Sequence, residues 1–277
     1  MKFLKLVRVF IKNFIDDDCF NHAASIAYFS VLSALPIVFL ISNAVGFLTG
    51  LDTKIIKKVY TIVSQFVPNL NYETWVKLTG LFSKTSYNLN LLSLVILILS
   101  CTMIFSAIDK SLKDVFKEFI TKEGSSLKRY FMYISSIFFL AFLVLLYLIV
   151  DTLLVFLKNI SHNESFLFLK HFLRYSKYVF QIIPVILQVF VVAYIFYFFI
   201  PIKLHLIKIL VASIYTVLMW SVAVRVFAWY VNYIPTYNII YGSMSIFIIF
   251  ITWSFYSAVI LLSGAELLKV MIKSNES

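Results

Sequence analysis

The sequence predicts an all-α fold, a polytopic membrane bundle of about six transmembrane helices. Hydrophobic residues make up 62% of the 277 positions and charged residues only 13%, whereas a soluble domain is about half apolar and about one quarter charged. The apolar residues also gather in runs of about 20, the length that an α-helix needs to cross hydrocarbon. Because no stretch is left for a sizeable soluble domain, we treat 1–277 as a single membrane domain.

Residues 1–18 predict an amphipathic helix that lies along the membrane surface. On a helical wheel of 2–14 the apolar residues share one side: Phe3, Val7, Phe10 and Phe14. The basic residues share the other side: Lys2, Lys5, Arg8 and Lys12. Such a basic side suits anionic lipid headgroups. The aspartates at 16–18 are expected to end this helix and to cap the next one.

Six later segments are long and apolar enough to cross a membrane. In chain order they are 23–48, 89–108, 130–157, 178–200, 206–230 and 239–268. The first carries a face of small residues, which lets a neighbouring helix approach closely. These residues are Ala23, Ala27, Ser30 and Ala34.

The connecting segments predict the orientation. Region 51–87 is too charged to span and repeats apolar residues at helical spacing, so we expect short helices in an outer loop. Residues 109–129 and 158–177 are polar loops, and 268–277 is a polar tail. With the N-terminus inside, Lys and Arg are more frequent on the inner side, which places both termini in the cytoplasm. This topology and anionic headgroups at the basic inner loops explain the net charge of +11 without a nucleic-acid partner.

Three blocks of sequence carry a family resemblance. They are AASIAYFSVLSALP at 23–36, FFIP at 198–201, and YNIIYGS at 237–243, followed by a helix that closes with SGAEL at 263–267. In this order and spacing they resemble the YihY/BrkB family of bacterial inner-membrane proteins, from about residue 15 to about residue 270. The resemblance implies a six-helix protein of the inner (plasma) membrane, and it brings with it a historical label, ribonuclease BN.

The residues themselves do not support ribonuclease chemistry. Metal-dependent phosphodiester cleavage needs carboxylates or histidines gathered in a water-filled site. The densest such group joins the aspartates at 16–18 to His22, and an Asp-rich helix start is more often a cap. We therefore expect no enzyme activity, no metal and no cofactor.

Ionisable residues inside the spans predict the functional site. Arg225 lies in the middle of the fifth span, where an unpaired charge costs at least about 2.5 kcal/mol. We expect it to face the bundle interior or a wet cavity and to have a partner there. The plainer alternatives are a side chain that snorkels to the membrane surface and an ion pair that holds helices together. Glu266 follows Gly264, which permits a close helix neighbour. The plainer alternative is an interfacial carboxylate that pairs with Lys269 or with a basic loop. The remaining candidates for this polar site are Asp151, Tyr241, Gly242 and Ser30.

Two functions follow from these features. The first is transport or translocation of a lipid or another amphipathic envelope component, with an anionic headgroup paired to Arg225 and the apolar tails left in the bilayer. The alternative is a non-transporting scaffold for envelope machinery, and ribonuclease activity is the least favoured. The partners expected are membrane lipids, with an envelope protein or a second copy of the chain as further options.

Overall fold

The structure is a computed structural model of the chain. It describes 2–33, 87–120, 129–140, 142–143, 167–202, 204–233 and 245–276, and also the positions 57, 60–61, 72–73, 76–77 and 127. Every regular element in these residues is a helix, which confirms the all-α fold class.

Helix α1 (Lys2–Asp16) is followed after a two-residue turn by helix α2, described over 19–33. In the turn, Asp18 has a left-handed backbone with φ of 53°, which aspartate tolerates better than most residues. The Asp18 carbonyl oxygen accepts a hydrogen bond from the Asn21 backbone at 3.0 Å and so begins α2. The turn also brings Asp17 into the interior, where it is 6% exposed.

Helix α1 is amphipathic as predicted. Phe14 is buried, whereas Arg8 and Lys12 on the opposite side are exposed. Its packing partner is the last helix of the described chain. The apolar side of α1 is therefore covered in part by the protein itself.

Helix α3 (Tyr87–Val115) leads through a single 3-10 turn (Lys117–Phe119) toward helix α4 (Arg129–Leu140). The sequence ended this apolar segment at 108, but the helix runs to Val115. The reason is that Leu112 and Val115 continue the buried face one and two turns further. At 29 residues α3 is about 44 Å long, longer than the roughly 30 Å of hydrocarbon.

Helices α5 (Leu167–Phe199), α6 (Leu206–Tyr233) and α7 (Ser245–Glu276) complete the described bundle. Helix α5 begins inside 158–177, where we expected a polar loop. Helix α7 likewise continues to Glu276, although we expected a polar tail over 268–277. Both helices therefore extend beyond the apolar runs of their sequences.

Helix α7 lies at the centre of the described bundle, against α6, α3 and α1, while α5 packs on α6 and α3. Helix α7 comes very near α6 at Gly264, where an added Cβ would lie 1.9 Å from the Thr216 Oγ1 atom of α6. Further along, the rings of Phe227 and Trp253 lie 5.0 Å apart. The two contacts show that α6 and α7 are antiparallel.

The outward surface of α6 is apolar along most of its length, and the exposed Arg225 interrupts it. Its exposed residues include Leu206, Ile207, Leu210, Val211, Ile214, Leu218, Met219, Val222, Val226 and Trp229. In water this surface would be unfavourable, whereas hydrocarbon can cover it.

Two segments of the described helices, Leu206–Tyr230 and Phe247–Lys273, are long and apolar enough to cross a membrane. Shorter apolar runs occupy Arg129–Leu140 and Ile183–Phe199. The count of six spans stays a prediction. The helices expected in 51–87 fall mostly outside the described residues, although the few positions described there are helical.

Candidate functional site

A group of buried ionisable side chains lies where the turn after α1 meets α7. Lys269 donates a hydrogen bond to Asp17 Oδ2, and the two side chains are 2% and 5% exposed. The neighbouring Glu266 is completely buried. We call Asp17, Cys19, Glu266 and Lys269 the buried cluster.

Asp17 is stabilised as a carboxylate. Burial by itself would raise the pKa of the Asp17 carboxyl group, but the hydrogen bond from Lys269 and the interaction with Glu266 outweigh it and lower the pKa below its usual value. Lys117, from the 3-10 turn, adds a second cation whose Nζ lies 3.6 Å from Asp17 Oδ1. Because the Lys117 side chain is 60% exposed, it connects the buried cluster to the surface.

Glu266 is paired less completely. Its Oε1 atom accepts a long hydrogen bond from the Cys19 thiol at 3.9 Å. Its Oε2 atom is buried and has no hydrogen-bond partner among the residues that the structure describes. A buried oxygen left in this way costs about 1–3 kcal/mol, and more if it is charged.

Cys19 has no exposed surface. Burial raises the pKa of its thiol far above the usual range, and the nearby carboxyl groups of Glu266 and Asp17 raise it further. The thiol therefore stays protonated and serves as a weak donor to Glu266.

A second group of polar side chains surrounds Asp109, which lies in the last two turns of α3. The buried Asp109 accepts a hydrogen bond from Lys113, one turn further on, and another from Tyr133 Oη at 2.7 Å. Arg129 Nη1 lies 3.9 Å from the same carboxylate. The Tyr133 ring stacks on Phe199 with centroids 6.1 Å apart. These contacts tie α3, α4 and α5 together.

Two partly exposed ion pairs lie within about one helical turn of members of the buried cluster. His22 Nε2 of α2 lies 3.3 Å from Asp114 Oδ2 of α3. Lys273 Nζ of α7 lies 2.6 Å from Glu118 Oε2, and this hydrogen bond lowers the pKa of Glu118. Both pairs are partly exposed, so each contributes little stability by itself.

An apolar groove of about 510 Å³ lies between α2 and α7. Its walls on α2 are Ala24, Ala27, Tyr28, Val31 and Leu32, and its walls on α7 are Phe247, Ile251, Thr252, Phe255 and Tyr256. Known ligand pockets have volumes of about 300–1,000 Å³. The groove begins at Ala24, five residues and hence about 8 Å along α2 from Cys19.

The structure does not bring the two strongest sequence candidates together. Glu266 belongs to the buried cluster, whereas Arg225 is exposed on α6. Since Phe227 faces Trp253, Arg225 is level with Phe255, which is about 16 Å from Glu266 along α7. Arg225 is instead at the depth of the groove.

The other candidates contribute no described contact between helices. Ser30 donates its hydroxyl hydrogen bond to the Ile26 carbonyl, 2.8 Å away in the same helix. Asp151, Tyr241 and Gly242 lie outside the described residues. The site expected from all six residues together stays a prediction.

Sequence reasoning missed most of the buried cluster. It treated Asp17 as one of three capping aspartates and offered Lys269 as a partner of Glu266, but Lys269 bonds to Asp17, 252 positions away. The available signal was a lysine and a glutamate three positions apart, within a run apolar enough to be buried. Among the described residues, no group of three or more His, Cys, Asp or Glu side chains is placed to hold a metal ion.

Residues 10–276 match the family described as Virulence factor BrkB. Similar proteins include UPF0761 membrane proteins from Glaesserella parasuis, 22% identical over 201 residues, and from Alcanivorax borkumensis, 22% identical over 270 residues. A third, from Alkalilimnicola ehrlichii, is 21% identical over 253 residues. These alignments cover 71%, 96% and 90% of this chain, but 68%, 60% and 54% of the relatives. No solved structure gives a significant match.

Proposed function

The chain belongs to the virulence factor BrkB family, whose relatives are membrane proteins, and from that premise we propose that it translocates a lipid or another amphipathic envelope component. The observation that carries the proposal is the apolar groove between α2 and α7. Its size suits a ligand, and its position on a helix long enough to span suits a ligand that is already in the membrane.

The ligand part that fits the groove is a hydrocarbon chain. Nine of the ten residues that form its walls are apolar or aromatic, and Thr252 is the exception. The Thr252 hydroxyl donates to the Ile248 carbonyl of its own helix at 2.8 Å. The walls therefore favour an apolar chain over a polar solute.

Arg225 supports an anionic headgroup for that ligand. It is exposed on α6, level with the groove residue Phe255, and within the apolar segment Leu206–Tyr230. A guanidinium group there is costly without an anion. A phosphate or carboxylate headgroup would supply the two acceptor oxygens that guanidinium binds best.

The proposal is non-enzymatic and concerns the inner membrane, with both termini in the cytoplasm. Asp17 is engaged with two lysines, which favours a structural or charge-binding role over bond cleavage. The exposed Arg8 and Lys12 of α1 support an orientation in which that helix contacts anionic headgroups of the cytoplasmic leaflet. An envelope protein or a second copy of the chain could cover the apolar face of α6.

The test is a lipid translocation assay on the full chain in vesicles. A phospholipid with a fluorescent, reducible headgroup label reports movement between leaflets. We expect wild-type protein to exceed empty vesicles, and Ala24→Phe, which fills the groove, to return the rate to that baseline. Arg225→Ala should also slow movement, and Arg225→Lys should slow it less because the charge remains.

Ser25→Phe is the matched control for the groove. Ser25 is exposed on the same helix but is not part of the groove wall, so this variant should retain the wild-type rate. Wild-type protein at the rate of empty vesicles would refute translocation. If Ala24→Phe and Ser25→Phe both kept the wild-type rate, the groove would be the wrong site. If wild-type protein moved no lipid and co-purified with a stable envelope partner, the scaffold would be favoured.

A further inference from the structure

We propose that Asp17 and Glu266 together bind one exchangeable proton, and that this proton couples lipid movement to the proton gradient. The coupling half of the inference rests on the proposed function. The binding half stands on the geometry of the buried cluster alone.

The unpartnered Oε2 atom of Glu266 points to the ligand. It is buried without a donor among the described residues, and Oε1 receives only the weak S–H bond of Cys19. An ionised carboxylate in this position would be poorly compensated. A proton on Oε2 makes the group neutral and removes the cost of the buried charge. In this proposal the new O–H group donates to the Asp17 carboxylate, which gives the bound proton its acceptor.

The charges around Glu266 favour a single bound proton. The charged and titratable groups in the buried cluster or next to it come from the α1–α2 turn, the start of α2, the 3-10 turn, α6 and α7. They are Asp17, Cys19, Lys117, Glu118, Lys208, Lys269 and Lys273. Most are already engaged: Lys273 binds Glu118, and Lys208 donates to the Met271 carbonyl at 3.0 Å. One fully buried cation, Lys269, is left for two buried carboxyl groups. Two carboxylates in such a site share a proton, because both cannot be ionised cheaply.

A proton can reach this position from the surface. Lys117 is 60% exposed and lies 3.6 Å from Asp17, so water at the end of the bundle reaches the edge of the buried cluster. Loading forms one O–H bond on a carboxylate and release breaks it. The net charge of Asp17, Glu266 and Lys269 changes from −1 to 0, and no oxidation or reduction takes place.

The same helices carry the buried cluster and the groove, which gives the coupling a physical route. Cys19 and Ala24 belong to α2, and Glu266 and Tyr256 belong to α7. Without the proton, two carboxylates repel each other and loosen the contact between α2 and α7. With it, the contact tightens and the groove narrows. Proton binding and ligand binding therefore act on one helix pair.

Infrared spectroscopy of the full chain in lipid vesicles tests the proton site without any transport. Wild-type protein should show the carbonyl band of a protonated carboxyl group that persists at neutral pH, where ordinary Asp and Glu, with pKa values of about 4, are ionised. Glu266→Gln should lose this band. Asp17→Asn should lose it as well, because Glu266 then pairs with Lys269 as a carboxylate.

Asp114→Asn is the matched control, since it removes a partly exposed carboxylate that pairs with His22 and frees no cation next to Glu266, so it should keep the band. No neutral-pH band in wild type, or a band that survives Glu266→Gln, would overturn the proton site. If Glu266→Gln does not fold, the test of the proton site is the infrared carbonyl band of wild-type protein and its loss in Asp17→Asn.

The coupling is tested with a pH gradient across the vesicles and the membrane potential clamped. With one proton per lipid, the distribution of labelled lipid should shift by up to about tenfold per pH unit, and Glu266→Gln should abolish the shift. A distribution unaffected by the gradient, in protein that moves lipid, would overturn the coupling. If wild-type protein moves no lipid at all, the proposed function and the coupling both fail, while the infrared result still decides the proton site.

Discussion

Replacing Lys269 by methionine should destabilise the protein more than replacing any exposed lysine of the same helix. The side chains of Lys269 and Asp17 are 2% and 5% exposed, and the change leaves a buried carboxylate without its main partner. Removing one member of a buried ion pair typically costs about 3–5 kcal/mol. Since Lys117 remains 3.6 Å from Asp17 but is largely solvated, we expect a loss near the lower end, about 3 kcal/mol.

The assay is thermal unfolding of the full chain in detergent. For a chain of this size, 1 kcal/mol corresponds to about 2–4 °C in the melting temperature, so Lys269→Met should lower it by roughly 6–12 °C. Lys273→Met is the control, because Lys273 and Glu118 are 40% and 50% exposed, and such pairs contribute at most about 1 kcal/mol.

A double variant separates the contribution of the ion pair to stability from the contribution of side-chain packing. Asp17→Asn combined with Lys269→Met removes both charges and should recover most of the lost stability, since a buried pair as a whole contributes little. An equally small effect of Lys269→Met and Lys273→Met would refute this account of the buried cluster. So would a double variant that is no more stable than Lys269→Met alone.

Three further predictions concern stability and reactivity. Gly264→Ala should cost about 1–3 kcal/mol by overpacking, since its Cβ would meet Thr216 Oγ1 at 1.9 Å; Thr216→Ala should restore part of the melting temperature, and full stability of the single variant would contradict the contact. In a Cys101→Ser background, Cys19 should react with a maleimide at least about tenfold more slowly in folded than in unfolded protein, because burial raises its thiol pKa; equal rates would show that Cys19 is accessible. The pKa of Asp17 is lower in the folded than in the unfolded protein. Asp17 therefore stabilises the fold at pH values above the ordinary Asp pKa of about 3.9, and this contribution is lost as the pH falls through the lower folded-state pKa. The melting temperature of Asp17→Asn should consequently fall less in acid than that of wild-type protein.

The sequence predicted the elements that depend on local pattern. The alternation of apolar and basic residues in 2–14 specifies α1, and the aspartates that follow end it. The apolar runs predicted at 206–230 and 239–268 overlap the helical segments Leu206–Tyr230 and Phe247–Lys273, which are long enough to span. Helix ends were placed less well, because side chains such as Leu112 and Val270 are buried beyond the ends of the apolar runs at 108 and 268.

The candidate site was predicted only in part, because its contacts join distant parts of the chain. Glu266 was expected to lie against another helix, and its neighbour in the structure, Cys19, lies 247 positions away. No periodicity within one segment carries such information. Arg225 was expected to face the interior because of its charge, yet the exposed apolar residues beside it, Val222 and Val226, show that this side of α6 faces outward.

The hydrogen bond between Asp17 and Lys269 also has a consequence for biosynthesis. Its two members are 252 positions apart, so at about 5–20 residues per second the ribosome adds the lysine roughly 10–50 s after the aspartate. Until Lys269 is synthesised, the Asp17 carboxylate has to remain in contact with water at the membrane surface, and α1 cannot dock on α7. Docking of α1 therefore depends on prior synthesis and insertion of α7. In chains truncated before α7, we expect α1 to stay undocked and sensitive to protease.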